Sequence, residues 1–288
     1  MTLAEAAQYE VPKNNMKKPR HMNHQTLPGD KRIVQRHHGH PHSPNHAHSH
    51  RVHPSGGTST PKSGSHKIKV VRRVLDANDI MAAQNRKLFQ ERNVFVLNMM
   101  SSPGSGKTTT LEKTLTRIMP EIRSAVIVGD ICTTNDADRL ARSGAPVVQI
   151  NTDEFGGDCH LAAHVIEKVL DGFDLNGVDL LIVENIGNLV CPAEFDIGED
   201  CRVVVLSVTE GEDKPAKYPL MFRECDAALL NKIDLLPHLD YDREVAVKTI
   251  LQVHPGMPVF ELSAKTEEGF DPWIEWLKHK VKNKIGAG

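Results

Sequence analysis

The sequence predicts an α/β domain in which helices cover both faces of a mainly parallel sheet. Seven short apolar runs of strand length recur along the chain, and most are separated by amphipathic stretches of helical length. The runs are apolar at consecutive positions, which is typical of strands buried on both faces. Because strands alternate with helices, the strands are expected to be parallel and ligands to bind beyond their carboxyl ends.

The individual elements are expected from residue 67 onward. The alternation of basic and apolar residues over 67–74 predicts a short edge strand, and Asn78 or Asp79 is expected to cap a helix that ends near Arg92. The buried strands are predicted at residues 94–100, 125–128, 146–150, 179–184, 202–208, 227–231 and 258–263. The helices between them are predicted at residues 108–119, 136–143, 161–170, 241–253 and 270–284.

Residues 1–66 differ in composition from the rest of the chain. Pro, Ser, Gly, Asn and His dominate there, and large apolar residues are few. Such a segment cannot bury enough apolar surface to offset the entropy lost on ordering, so we expect a disordered tail. Residues 67–288 are sufficient for one well-buried α/β domain.

Charge and cysteine content restrict the functional class. The formal net charge is −2, which argues against a general binder of nucleic acid or membrane surfaces. Five widely spaced cysteines suit reduced thiols better than a disulfide framework. No apolar run approaches the roughly 20 residues of a membrane span, and no secretory signal is evident. A cytoplasmic protein is expected.

A phosphate-binding loop follows the first buried strand, in the string SSPGSGKTT at 101–109. Gly104 and Gly106 let the backbone turn its N–H groups toward an anion, and the next helix presents its positive end there. Lys107 is expected to reach the β- and γ-phosphates, and the Thr108 hydroxyl to bind Mg²⁺. The consensus loop has glycine where this chain has Ser101, but strand, loop and helix occur in the required order. The predicted phosphate-binding residues are Gly104, Ser105, Gly106, Lys107, Thr108 and Thr109.

A second motif, NKID at 231–234, predicts the base. An aspartate accepts from both donors on the guanine edge, and adenine lacks that pair. Asp234 is therefore assigned to guanine selectivity, Asn231 to holding the loop and the base, and Lys232 to covering the ring. Alone, this motif would often be a capped strand end. Together with the phosphate loop and the downstream SAK motif it predicts GTP, and that motif comprises Ser263, Ala264 and Lys265.

Two acidic residues at strand ends are expected to complete the site. Asp130 is predicted to hold Mg²⁺ directly or through water, with Thr133 in the same nucleotide-sensing loop. Glu184 is expected to organise Mg²⁺ or the attacking water, and Gly187 to let its loop respond to the γ-phosphate. A helix-cap or strand-end carboxylate is the alternative for either acid. No glutamine or arginine is evident for positioning water or neutralising charge, so we expect slow intrinsic hydrolysis, with Lys107, Asp130 and Glu184 as the catalytic residues.

The tail is rich in histidine between residues 37 and 53. Imidazole is a good ligand for Ni²⁺, Cu²⁺ and Zn²⁺, and a flexible run lets several rings meet one ion. A pH-sensitive linker or a purification tag is the alternative, although a tag would usually be uninterrupted. The tail alone does not identify its metal. The predicted ligands are His37, His38, His40, His42, His46, His48, His50 and His53.

A further set of metal-ligand residues lies inside the domain. Cys159 and His160 are adjacent, and Cys191 follows the ENIGN string. Thiolate and imidazole suit Ni²⁺ or Zn²⁺, but spacing alone favours a buried structural cysteine for any one of them. Cys201 and Cys225 adjoin strands and are expected to pack as small apolar residues. The role of Cys132, within the nucleotide-sensing loop, stays open.

With these motifs the sequence resembles the hydrogenase nickel-incorporation GTPases of the HypB family, over essentially all of residues 67–288. The most specific strings are ENIGNLVCP at 184–192 and SVTEGEDKPAKYP at 207–219. SSPGSGKTT, CHL at 159–161, NKIDLLP at 231–237 and the pattern GD-x-x-T-x-N-D-A-x-R at 129–139 add to them. Ser101 then agrees with the family's own phosphate loop.

The resemblance implies a three-layer, doubly wound, mostly parallel seven-stranded sheet of the SIMIBI-type P-loop GTPases, and a homodimer promoted by GTP. It also implies that Cys159, His160 and Cys191 bind Ni²⁺ or Zn²⁺ near the subunit boundary, under control of the nucleotide. Lys214 or Lys217 is expected to reach nucleotide across the dimer or to be a solvated surface lysine.

The resemblance further implies partners and a role. The expected partners are the maturation protein HypA and the hydrogenase large subunit, which would receive Ni²⁺ stored and delivered by this chain. Some relatives have a cysteine-rich N-terminal nickel motif, whereas this chain has no cysteine before Cys132. The histidine-rich tail is expected to replace that motif with several weaker sites.

Two alternative functions share features with this sequence. A urease-type nickel GTPase has the same general fold, but its metal motif resembles Cys-Pro-His, whereas this chain has Cys191, Pro192 and Ala193. A nickel storage or buffer protein, with GTP binding of minor importance, is the other alternative.

Overall fold

The computed structural model describes residues 63–130, 135–151 and 160–286 of the 288-residue chain. Of residues 63–72, 130 and 135 only the backbone is described. The predicted histidine ligands of the tail therefore lie outside the described residues, as do Cys132, Thr133 and Cys159. The boundary predicted between residues 66 and 67 stays a prediction.

The centre of the fold is a seven-stranded sheet in which every pairing is parallel. The spatial order is β3-β2-β4-β1-β5-β6-β7. The strands are β1 (Phe95–Ser101), β2 (Ser124–Asp130), β3 (Val147–Asn151), β4 (Leu180–Gly187), β5 (Cys201–Ser207), β6 (Ala227–Asn231) and β7 (Val259–Glu261). The seven strands and the α/β class predicted from the apolar runs are confirmed. The prediction that all seven are buried is wrong for the edge strands, because β7 is half-buried throughout and β3 has a single buried residue, as expected of strands with a neighbour on one side only.

Nine helices are described in the same parts of the chain. They are α1 (Ser63–Glu91), α2 (Lys107–Ile118), α3 (Asn135–Ala141), α4 (Ala163–Leu170), α5 (Cys191–Glu194), α6 (Lys214–Lys217), α7 (Pro219–Glu224), α8 (Arg243–Val253) and α9 (Phe270–Ile285). The five helices predicted after β1 are confirmed as α2, α3, α4, α8 and α9. Helices α5 to α7 and a 3₁₀ turn at Ile233–His238 were missed, because they are too short to show a helical period.

The predicted edge strand at residues 67–74 is wrong, since this segment belongs to the 29-residue helix α1. Eight residues are too few to separate the two periods, because Val71, Val74 and Leu75 also have helical spacing. The predicted cap at Asn78 is wrong for the same reason. Asn78 lies inside α1, where its Oδ1 accepts from Ala163 N at 3.0 Å. It therefore receives an amide at the start of α4 rather than of its own helix.

Helices cover both faces of the sheet. On one face, α2 and α9 bury Leu111, Leu115 and Trp273 against the strands. On the other, Phe89 of α1 and Ile166 of α4 pack in a second cluster. Burial on both faces explains why the strands are apolar at consecutive positions. None of the helices in the described part of the chain has the length and apolar character to cross a membrane.

The loop before β5 packs closely against α1 at Gly198, and a substitution tests this contact. Gly198 has φ +92°, and an added Cβ would lie 2.8 Å from Ala82 O and from Arg86 N. We expect Gly198→Ala to lower the free energy of unfolding by about 2–4 kcal/mol, through strain and loss of helix docking. The measurement is urea denaturation followed by circular dichroism.

The matched control is Gly256→Ala. Gly256 also has positive φ (+83°), but nothing lies within 4 Å of its added Cβ. Gly256→Ala should lower the free energy of unfolding by about 1–2 kcal/mol, which is the strain of a left-handed residue alone. Equal losses in the two variants would contradict the close packing of α1 on this loop.

Candidate nucleotide and metal site

The phosphate loop joins β1 to α2 at the carboxyl edge of the sheet. Gly106 precedes α2 with φ +90°, and a Cβ there would lie 2.5 Å from Asn231 Nδ2. Only glycine allows this approach and this conformation together. The loop borders a cavity of about 580 Å³, and the N-terminus of α2 lies at its wall. Backbone amides and the helix dipole make this place suitable for phosphate.

Asn231 ties three loops together. Its Nδ2 donates to Ser105 O at 2.9 Å. Its Oδ1 accepts from the amides of Lys232 at 2.7 Å and Ala264 at 3.0 Å. The side chain is buried, so all three bonds are shielded from water. The phosphate loop, the NKID segment and the SAK segment are thereby fixed relative to one another.

The predicted base-recognition residues have defined partners. Lys232 Nζ donates to Gly104 O at 2.6 Å, which lays the lysine stem against the phosphate loop. Asp234 Oδ1 accepts from Ser263 Oγ at 2.6 Å. Ser263 Oγ in turn accepts from the Lys265 amide at 3.2 Å. The Asp234 carboxylate is thus oriented by the SAK segment.

Glu184, at the carboxyl end of β4, lies at the centre of the phosphate side. Its Oε1 accepts from Lys107 Nζ at 2.8 Å and from Thr108 Oγ1 at 2.6 Å. Its side chain is only 2% exposed, and its Oε2 is buried without a partner among the described residues. A buried carboxylate oxygen without a donor is costly unless a cation or donor binds there.

Asp136 was missed by the sequence analysis. Its Oδ2 lies 3.2 Å from Thr108 Oγ1, although it comes from the first turn of α3. The only sequence signal is its place in the string NDADR. Thr108, Asp136 and Glu184 therefore bring oxygen donors together beside the phosphate loop, and such donors fit Mg²⁺. The side chain of Asp130, the predicted magnesium ligand, lies outside the described residues.

Arg139 is a second missed residue. It lines the same cavity and donates to Thr109 Oγ1 at 3.2 Å and to Glu112 Oε2 at 2.8 Å. No arginine of the site is evident from the sequence, because nothing in the spacing shows that α3 approaches α2. This guanidinium is held beside the phosphate loop by Thr109 and Glu112.

Glu210 is a third missed residue. It accepts a hydrogen bond from Ser102 Oγ and another from Ser207 N at 3.2 Å. It therefore holds the segment after β5 against the phosphate loop. Lys214 Nζ lies 3.9 Å from Glu210 Oε2, and Lys217 pairs with Asp213 at 2.6 Å. The hydrogen bond to Asp213 raises the pKa of Lys217. A contact of either lysine with nucleotide across a dimer stays a prediction.

Two of the three predicted metal ligands lie in neighbouring segments. The ring of His160 packs against that of Phe195, with centroids 3.8 Å apart and the ring planes tilted by 33°. Phe195 directly follows α5, whose first residue is Cys191. The Cys191 thiol is partly exposed. Within the described residues no group of three or more His, Cys, Asp or Glu side chains is arranged to hold a metal, and Cys159 falls outside them.

The remaining described cysteines belong to the core, as predicted. Cys201 and Cys225 are buried, and desolvation raises the pKa of both thiols. Cys225 Sγ lies 3.8 Å from the sulfur of Met221. A thiol with a raised pKa is a poor metal ligand, which leaves Cys191 as the accessible thiol in the described part of the chain.

The parallel sheet, the phosphate loop and the cavity beside it define a P-loop nucleotide-binding protein. The family profile "CobW/HypB/UreG, nucleotide-binding domain" matches residues 95–261. This chain belongs to that family and, within it, to the HypB hydrogenase maturation factors.

Two curated relatives illustrate the similarity. The hydrogenase maturation factor HypB of Escherichia coli (strain K12) is 46% identical over 230 residues, which cover 80% of this chain and 78% of the relative. The probable hydrogenase maturation factor HypB of Methanocaldococcus jannaschii is 38% identical over 215 residues, covering 75% and 96%.

Two solved structures have the same fold. HypB from Archaeoglobus fulgidus is 36% identical with a TM-score of 0.67, covering 72% of this chain and 99% of that one. HypB from Helicobacter pylori, solved in complex with nickel, is 37% identical with a TM-score of 0.68, covering 73% and 97%. The predicted sheet and its parallel connectivity agree with these relatives.

Proposed function

We propose that this chain is a GTP-hydrolysing nickel metallochaperone, which stores Ni²⁺ and delivers it to the large subunit of [NiFe]-hydrogenase during maturation. GTP-dependent switching and dimerisation would control the transfer. The hydrogenase role has support from the curated relatives, and the metal from the relative solved with nickel. HypA is the expected partner in the transfer, and the cytoplasm the expected location.

One observation carries the coupling of nucleotide to metal. Glu184 accepts from both Lys107 and Thr108, and the same segment reaches Cys191 only seven residues later. A nucleotide that changes the partners of Glu184 therefore acts on the segment that bears a candidate metal ligand. Two states of one short segment suffice to link the two sites.

Hydrolysis is assigned to the phosphate side of the cavity. Lys107 would neutralise charge on the β- and γ-phosphates, while Thr108, Asp136 and Glu184 would hold Mg²⁺ directly or through water. The ion would supply charge neutralisation and fix the phosphates. Arg139 is placed to add positive charge at the same wall. Asp234, oriented by Ser263, would select guanine.

Nickel is assigned to the segment around α5. Cys191 offers an accessible thiol, and Phe195 positions the imidazole of His160 beside this segment. Together with Cys159, these residues would hold Ni²⁺ or Zn²⁺ with a position open for transfer. The histidines of the tail would supply the metal.

A cysteine substitution tests the metal assignment. In the full chain, Cys191→Ser should lower the near-ultraviolet absorption of nickel thiolate to about half, because Cys159 would remain as the other thiolate, and should weaken nickel binding at least roughly tenfold, the smaller end of what even outer-sphere changes cost. Cys225→Ala is the control, because that thiol is buried in the core. Nickel-thiolate absorption and nickel affinity that are unchanged in Cys191→Ser would contradict the assignment.

Deletion of residues 37–53 distinguishes a nickel carrier controlled by GTP from a nickel buffer. Hydrogenase activity in cells that produce this chain should fall strongly with Lys107→Ala and partly with the tail deletion. If only the tail deletion lowered activity, the protein would be a nickel buffer in which GTP is of minor importance. Urease activity in the same cells tests the urease-type alternative.

A further inference from the structure

Asn185 is a fully buried amide next to Glu184 on β4. Successive residues of a strand point to opposite faces, so Asn185 faces away from the phosphate loop that Glu184 contacts. Its Oδ1 accepts from Leu161 N at 3.1 Å and from Ile186 N at 2.9 Å. Neither the phosphate chemistry nor the metal assignment uses this side chain.

The orientation of the Asn185 side-chain amide is set at both ends. Backbone amides donate to its Oδ1, and a network of buried polar groups lies at its Nδ2. Glu199 Oε1 accepts from Arg202 Nε at 2.5 Å and from Asn98 Nδ2 at 3.1 Å. Asn98 therefore turns its Oδ1 toward Asn185, whose Nδ2 donates to it at 3.2 Å. The Oδ1 of Asn185 is left to receive the Leu161 amide. Each side-chain amide has one donor end and one acceptor end, so the direction of one hydrogen bond in this network fixes the direction of the next.

The Leu161 amide directly follows His160, which is a candidate metal ligand. Helix α4 begins at Ala163 without a side-chain cap from its own N-cap residue. Instead, Asn185 receives the amide of Leu161, and Asn78 of α1 receives that of Ala163. The backbone that leads from His160 into α4 is thus held by the strand that bears Glu184.

We propose that Asn185 is the positioning residue through which the nucleotide-contacting end of β4 controls His160. This inference rests on the proposed function, in which nucleotide controls metal. Glu184 and Asn185 share a peptide unit, so a shift of the β4 backbone that moves the Glu184 carboxylate toward or away from Lys107 also moves the Asn185 side chain. The hydrogen bond to Leu161 carries that movement to the segment of His160, whose imidazole packs against Phe195.

Two alanine substitutions in the full chain test the inference. Asn185→Ala removes the acceptor of the Leu161 amide. Asn98→Ala is the matched control, because it truncates the same side chain on the neighbouring strand β1, while the two backbone amides of Leu161 and Ile186 still donate to Asn185 Oδ1 and keep its orientation. Both remove a fully buried member of one network, so a purely structural role predicts the same behaviour.

The measured quantity is the ratio of nickel dissociation constants with GDP and with a non-hydrolysable GTP analogue. Nickel-thiolate absorption follows the binding, because tail imidazoles do not produce it. In the wild-type chain we expect this ratio to differ from one by about 5- to 150-fold, the usual range of coupling between sites. Asn185→Ala should bring the ratio to about one, and Asn98→Ala should keep it within roughly threefold of wild type.

Hydrogen exchange of the Leu161 amide provides a readout that needs no nickel. Exchange should be slow in the wild type and in Asn98→Ala, and at least tenfold faster in Asn185→Ala, since a lost bond of about 1.4 kcal/mol corresponds to that factor. Asn185→Asp retains the acceptor oxygen and, with the buried carboxyl group neutral, an O–H donor for Asn98 Oδ1, so it should restore both slow exchange and coupling. This variant keeps the test usable if Asn185→Ala does not fold.

Three results separate the possible failures. Coupling that persists in Asn185→Ala, or is lost equally in Asn98→Ala, would overturn the role of Asn185. Failure of Asn185→Asp to restore coupling would do the same. A wild-type chain whose nickel affinity ignores the nucleotide would instead overturn the coupling in the proposed function, and the role of Asn185 with it.

Discussion

Replacing Lys107 with alanine is expected to lower the rate of GTP hydrolysis by about 10²- to 10³-fold, the usual cost of losing one preorganised charge-stabilising group. Lys107 Nζ lies beside the phosphate loop, 2.8 Å from Glu184 Oε1, and its side chain is only 11% exposed. A cation shielded from water stabilises developing phosphate charge far better than a solvated one. The measurement is single-turnover release of phosphate.

The variant has a second consequence, which the experiment must control. Removing the ammonium leaves the buried Glu184 carboxylate with Thr108 as its donor. An uncompensated buried charge destabilises a fold, so the circular dichroism spectrum and thermal midpoint should be recorded with the rate. In the double variant Lys107→Ala with Glu184→Gln the uncompensated charge is absent. Its fold should be stable, while hydrolysis should stay low.

Lys113→Ala is the matched control for position on the helix. Lys113 also belongs to α2 but pairs with Glu267 at the surface, where both side chains are about one-third exposed. An exposed pair of this kind contributes about 0–1 kcal/mol to stability, so we expect a rate within twofold of wild type. Lys107→Ala that kept more than a tenth of the wild-type rate would contradict the catalytic assignment.

Asp234→Asn is expected to weaken GTP binding by about 10²- to 10⁴-fold, because two charge-assisted hydrogen bonds to the guanine edge are worth roughly 1.5–3 kcal/mol each. The variant keeps Oδ1, which accepts from Ser263 Oγ at 2.6 Å, so the loop should keep its shape. The loss then reports on the base rather than on folding. Equilibrium binding of fluorescent GTP and ATP analogues provides the measurement.

Xanthosine triphosphate makes this test sharper. Xanthine has a carbonyl where guanine has its exocyclic amine, so it presents one donor and one acceptor to an asparagine. Asp234→Asn should therefore bind xanthosine triphosphate more tightly than the wild type does. Ser263→Ala is the control for orientation and should reduce GTP affinity by only about tenfold, the worth of one hydrogen bond. An unchanged preference between GTP and xanthosine triphosphate would refute the role of Asp234.

Much of the nucleotide site follows from sequence, because its motifs are local. The phosphate loop needs glycines within a few residues of Lys107, and guanine selectivity needs Asp234 just after a strand. Both requirements can therefore be recognised in the sequence without a structure. The parallel arrangement then brings the two motifs to one edge of the sheet. Lys232 and Gly104, which the structure joins by a hydrogen bond, are 128 positions apart.

The residues that sequence analysis missed share one property. Asp136, Arg139 and Glu210 contact the phosphate loop or the start of α2 from segments whose approach no local pattern encodes. The wrong edge strand at residues 67–74 has the opposite cause. There a local pattern existed, but eight residues fitted both a strand and a helix, and only the rest of α1 decided between them.

The sequence by itself determined the α/β class, the seven strands, the phosphate loop and the NKID motif, because hydrophobic period and turn chemistry act over a few residues. Tertiary structure alone decided that Glu184 joins Lys107 to Thr108 and that Asn185 receives the amide after His160. Both depend on the strand order, which places β4 between β1 and β2. The type of each side chain is known from the sequence. Its hydrogen-bond partner depends on which strands and loops become neighbours on folding.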